Sequence, residues 1–139
     1  MTLTPLLVAS PVIQLHVAAA LAALVLTPVQ LWRRKGTGQH RWVGYGWIGA
    51  MAVAALTSFF IHSIKLVSLF SPVHLLSLLT LWTLPRIIRA ARAGQVPQHK
   101  RRVLILVWAA LVGAGLFSLA PGRLMHQVAF GAPDRVVQP

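Results

Sequence analysis

The chain has 139 residues, 57% of them hydrophobic and only 10% charged, a composition that no soluble domain of this size presents at its surface. Thirteen basic residues accompany one carboxylate side chain, Asp134, which excludes paired-carboxylate acid–base chemistry, a Ser–His–acid triad and carboxylate proton relays. Cysteine is absent, which removes disulfides, thiolate metal sites and thiol catalysis, and no phosphate-cradling or dinucleotide glycine pattern occurs.

In chain order, Ser10-Pro11 opens the first apolar stretch, Pro11–Trp32, by setting a capping residue before a proline suited to the first helical position. Further stretches run over 43–64, 72–88 and 103–120, the third again opened by a Ser-Pro pair, Ser71-Pro72. A hydrocarbon core of about 30 Å needs about 20 helical residues, so each stretch reads as a membrane span. Pro28 and Pro85 lie near the inner ends of the first and third spans, and Gly36-Thr37-Gly38 and Gly94-Gln95-Val96-Pro97 break the chain between spans. The expected fold is an all-α integral membrane protein, a four-helix bundle forming one domain, with a polar tail over 121–139.

The basic residues set the expected orientation. Arg33, Arg34, Lys35, Arg41, Arg86, Arg89, Arg92, Lys100, Arg101 and Arg102 fill or flank the first and third loops, against Lys65, Arg123 and Arg135 on the other side. The positive-inside bias puts both basic loops in the cytoplasm and both termini in the periplasm of a bacterial inner membrane. The first stretch lacks a basic leader, so no secretory signal is expected. A net charge of +12 often points to nucleic acid, but here it lies between apolar spans, where it suits anionic headgroups instead. The five tryptophans read as interfacial belts.

The halves repeat one hairpin. Gln39-His40-Arg41 matches Gln98-His99-Lys100, Ser10-Pro11-Val12 matches Ser71-Pro72-Val73, and Ala50, Ala54 and Ser58 match Ala110, Ala114 and Ser118, all at an offset of roughly 60 residues. Both hairpins run in the same sense, so the repeat is parallel with a pseudo-two-fold along the membrane normal. Gly46, Ala50, Ala54, Ser58 and His62 recur every fourth residue, as do Ala110, Ala114, Ser118, Gly122 and His126. Such seams pack helices closely in lipid.

Six histidines beside one carboxylate make histidine the only intramembrane titrating chemistry. His16, His62, His74 and His126 fall in or near the outer half, and His40 and His99 at the cytoplasmic rim. His16 and His74 occupy equivalent places in the two hairpins and differ in depth by about 4.5 Å. On facing helices they could hold a haem b iron axially, with His62 able to replace either and Lys65 and Arg123 available to the propionates. Interhelical hydrogen bonding by the same histidines, or an all-histidine zinc or copper site, are the alternatives. His40 and His99 read as interfacial residues, or as a second site.

Leu15-His16, Lys35-Gly36-Thr37, His40-Arg41-Trp42-Val43-Gly44, Ser58-Phe59-Phe60-Ile61-His62, Phe70-Ser71-Pro72-Val73-His74-Leu75-Leu76-Ser77, His99, Ala114-Gly115-Leu116-Phe117 and Pro121-Gly122-Arg123 together resemble the bacterial four-span membrane proteins grouped as domain of unknown function 2306. The resemblance covers roughly Leu15 to Gly131. It implies four inner-membrane helices and a family pattern that includes the histidines and Arg123, but no established activity. Two functions are therefore expected in competition. One is a haem-binding redox module. The other is a non-catalytic accessory subunit, alone as a homo-oligomer or packed against a larger respiratory or photosynthetic complex, with the basic charge and small-residue faces serving for docking.

Overall fold

The structure is a computed structural model that describes residues 3–61 and 72–131. Among these residues six helices occur: α1, Thr4–Leu7; α2, Pro11–Trp32; α3, Gly38–Ser58; α4, Pro72–Arg92; α5, Val96–Ser118; and α6, Leu124–Phe130. Helices α2 to α5 form a ring in chain order. Each packs on the next, and α2 also meets the middle of α5, so α2 lies diagonal to α4 and α3 to α5.

Local chemistry explains where each helix begins and ends. Pro11 starts α2 as expected, but Ser10 takes the extended backbone of a cap without its hydroxyl making a capping bond. The Gln14 amide instead donates to the carbonyls of Leu6, Leu7 and Ala9 at 3.1–3.2 Å, tying α1 to α2. Thr37 caps α3 by accepting from the His40 backbone N–H at 3.2 Å, so α3 begins at Gly38, before the expected start at 43. Helix α4 runs on to Arg92, beyond 88, because Arg89 and Arg92 in its last turn complement the carbonyl end of the helix. Pro97, expected in a break, sits in the first turn of the next helix, where its missing N–H costs nothing. His99, Lys100, Arg101 and Arg102 therefore ride on α5 instead of filling a loop.

Helix α5 is not uniform. Leu106–Gly113 is π-helical, a wider winding that hydropathy does not signal and that often accompanies functional sites. The expected polar tail holds α6, which packs on α1 at the end of the bundle away from the basic loops.

The ring is inside out relative to a soluble bundle. Leu15, Val25, Leu75, Leu78, Trp82 and Trp108 face outward, while Thr27, Thr57, Ser58, Ser77, Thr80 and Thr83 are buried. That distribution suits lipid, where small and polar residues pack between helices. By length and apolarity, α2 and α5 are long enough to cross a membrane. Helix α3 carries four glycines and Arg41, and α4 carries three arginines toward its end, which dilute their apolar character.

The half of the ring nearer the basic end is solid. Ala23, Trp47, Met51, Leu84, Ile87, Leu106 and Val107 form its core, and the Trp47 indole donates to Thr27 Oγ1 at 3.0 Å. Trp47→Phe should therefore lower stability by about 1–3 kcal/mol, through the lost bond and lost volume. Trp42→Phe, at an exposed position, should change it by less than about 0.5 kcal/mol. Unfolding midpoints in detergent compare the two directly.

Candidate functional site

The half of the ring away from the basic end is hollow. A cavity of about 450 Å³ lies among α2, α3, α4 and α5, with Met125 of α6 at its edge. Its walls explain the two small-residue seams: Ala54 and Ser58 of α3 face it, and so do Ala110, Ala114 and Ser118 of α5. The seams sit on diagonal helices, so their smallness leaves space between them. The close-packing expectation holds lower on α3, where a Cβ on Gly46 would touch Leu26 at 3.7 Å.

His16 is the one histidine lining this cavity among the described residues. Its Nδ1 lies 2.8 Å from the Ala54 carbonyl and 3.0 Å from Thr57 Oγ1. A carbonyl only accepts, so Nδ1 carries the hydrogen. The Thr57 hydroxyl itself donates into the backbone of α3, to Val53 at 2.7 Å. These contacts pin the ring to α3 and leave Nε2, for which the described residues supply no partner.

The other polar walls are hydroxyls that serve their own helices. Thr80 donates to Leu76 at 2.9 Å and Ser118 to Gly115 at 2.7 Å. Ser58 and Ser77 bond to each other across the α3–α4 contact, and each lies within reach of a carbonyl one turn back. Sequence reasoning passed over Thr57, Ser77 and Thr80 because isolated hydroxyls in apolar stretches carry no pattern. Only the burial of all three singles them out.

The remaining predicted site residues lie elsewhere. His74 is not part of the cavity wall; its ring lies 5.6 Å from that of Phe59, with Nδ1 buried and unpartnered among the described residues. His16 and His74 thus do not share the wall of this cavity. Arg123 stacks its guanidinium 4.1 Å over the Phe117 ring, and His126 Nδ1 bonds to the Leu119 carbonyl at 2.9 Å. His62 and Lys65 lie outside the described residues, as does Ser71. No group of three histidine or acidic side chains fit to hold a metal ion occurs among the described residues.

At the basic end a second polar cluster forms. Gln30 of α2 and His40 of α3 meet at 3.2 Å, and His99 donates from Nδ1 to the Ile87 carbonyl at 3.1 Å. Gly44 makes room for Gln30, since a Cβ there would come within 3.0 Å of the amide nitrogen. Gln30 Oε1 and His40 Nδ1 are buried without partners among the described residues. Nearby guanidiniums bind neutral groups: Arg102 reaches the Arg86 carbonyl at 2.9 Å, and Arg86 lies 3.5 Å over the Trp82 ring.

Inward hydroxyls, outward leucines and an apolar cavity open to the bundle surface define an all-helical membrane protein. The chain belongs to the family described as "Predicted membrane protein (DUF2306)", which matches residues 13–134. No curated protein and no solved structure shows significant similarity to it.

Burial, then the positive charges of His99 and Lys35, hold the His40 imidazole below the usual histidine value of 6.5. The unfolded chain then binds more protons than the folded one as pH falls through 6.5, so stability should drop on acidification in that window. Unfolding midpoints at about pH 7.5 and about pH 5.5 should differ less in His40→Gln than in the wild type.

Proposed function

We propose that the chain is a four-span bacterial inner-membrane protein that binds one apolar, cofactor-sized organic molecule in the hollow half of its bundle. The observation that carries this reading is His16: a single imidazole, clamped through Nδ1 at 2.8 Å to the opposing helix, beside an apolar cavity of about 450 Å³. Ligand pockets combine such a volume with few, fixed polar groups. Membrane bundles build their cofactor sites between facing helices.

The four-span reading draws on the ring. Helices α3 and α4 match α2 in length and pack against each other between α2 and α5, the two that pass as spans. An open backbone in lipid is excluded, so a ring of this kind crosses as a unit. The diagonal placement of α2 with α4 and α3 with α5 is what a parallel hairpin repeat requires. The charge bias places both basic turns in the cytoplasm. Because the chain has no cysteine, Lys35→Cys and Gln98→Cys should resist an impermeant maleimide in spheroplasts, while Ser10→Cys should label. The reverse pattern would invert the orientation.

A second reading, haem b on His16 alone, is favoured by the same tautomer, since metal-binding histidines commonly donate their other ring N–H to a carbonyl. The accessory-subunit reading loses one support, because the outer parts of the small-residue seams line the cavity instead of an outer docking face. Purified protein separates these readings. Wild type should carry or take up one apolar molecule per chain, and His16→Ala should retain about tenfold less. A Soret band that shifts on reduction would assign haem. A preparation that neither holds nor absorbs an apolar molecule sinks the binding function.

A further inference from the structure

We infer that the cavity selects ligands by what they donate: its occupant is a neutral apolar molecule bearing a hydroxyl, such as a hydroquinone or a long-chain alcohol. This rests on the cavity being a binding site, and it adds the chemical class of the ligand.

Among the described residues five polar side chains line the cavity: His16, Ser58, Ser77, Thr80 and Ser118. His16 spends its N–H on the Ala54 carbonyl at 2.8 Å. Thr80 and Ser118 spend theirs on carbonyls of their own helices at 2.9 Å and 2.7 Å. Ser58 and Ser77 share two hydrogens between their mutual bond and the carbonyls behind them. The other side chains described on the walls are apolar, and N–H groups within the helix interiors are consumed by the backbone ladder. Burying a charge in such a setting is costly, so the His16 ring is neutral and Nε2 presents a lone pair. The described side chains of the cavity thus offer acceptors and no free donor.

A ligand that brings only acceptors, such as a quinone or an ester, meets lone pairs with lone pairs. It leaves its own oxygens unsatisfied in an apolar site, which is the expensive outcome. A ligand with a hydroxyl donates to His16 Nε2 and pairs at once. Ammonium compounds also donate, but the chain has a net charge of +12 and no carboxylate among the described residues to balance a buried cation. A bare metal ion lacks three ligands there among the described residues. Neutral hydroxyl compounds are the class that remains.

The test titrates wild-type protein in lipid nanodiscs, corrected for uptake by empty discs. The probes are an alkyl hydroquinone, its dimethyl ether and the corresponding quinone, and separately a long-chain alcohol and its methyl ether. Each hydroxyl compound of the preferred type should bind about tenfold more tightly than its ether, and the hydroquinone more tightly than the quinone. The arm with the larger hydroxyl-to-ether ratio identifies the source as aromatic or aliphatic. That ratio is read on unmodified protein, so it does not depend on a variant that folds. In His16→Phe the ratio should collapse toward one, whereas Trp42→Phe, at an exposed position off the cavity wall, should keep it. Ethers or quinone binding as tightly as the hydroxyl compounds would overturn the donor rule and leave the binding function standing. Probes that bind no better than to empty discs would overturn the binding function itself.

Discussion

Every polar hydrogen inside this bundle has to find its acceptor without water. That constraint shapes the structure more than hydrophobicity, which barely distinguishes a helix neighbour from a lipid tail. Thr27 and Thr80 answer it by bonding back to carbonyls of their own helices, at 2.7 and 2.9 Å, and Ser58 and Ser77 by sharing their two hydrogens between each other and the carbonyls behind them. His16 and Trp47 answer it by reaching across to α3 and α2, respectively. The bonds that hold the ring together are thus also the ones that use up its donors.

The two halves of the ring differ in the volume of the side chains that face inward. Toward the basic end, Trp47, Met51, Ile87 and Leu106 fill the interior. Away from it, the inward positions on α3 and α5 are Ala54, Ser58, Ala110, Ala114 and Ser118, too small to meet across a diagonal. The π-helical turns of α5 fall along this stretch and place Ala110, Leu111 and Val112 on the wall. At that end α1 and α6 pack together, tied down through Gln14 and the Arg123–Phe117 stack.

The basic end follows different rules. With one carboxylate side chain in the whole sequence, guanidiniums there settle on carbonyls, amides and rings: Arg33 on Gln39 at 2.9 Å, Arg102 on the Arg86 carbonyl, Arg86 over Trp82. Such contacts orient the charges without neutralising them, which leaves that task to anions outside the chain. His40 sits in this field partly buried, and feels it.

The helical class, the membrane setting and the positions of the four long helices follow from the amino-acid order, because apolar length, proline placement and clustered arginines act locally, whereas the short α1 and α6 were not legible. Pro11 and Pro72 begin α2 and α4 where expected, and the seams on α3 and α5 were visible as small residues every fourth position. Helix ends were less legible: α3, α4 and α5 all extend into segments whose charges suggested loops, since Thr37, Arg92 and Pro97 suit helix termini as well as turns. What only the tertiary structure decided is where each imidazole goes. His16 and His74 sit at equivalent places in the two hairpins, yet one lines the cavity and the other lies beside Phe59. Rotation of a helix about its axis separates those outcomes. In a chain apolar on nearly all sides, rotation is set by which hydroxyls and small residues meet across the ring, and sequence periodicity does not record it.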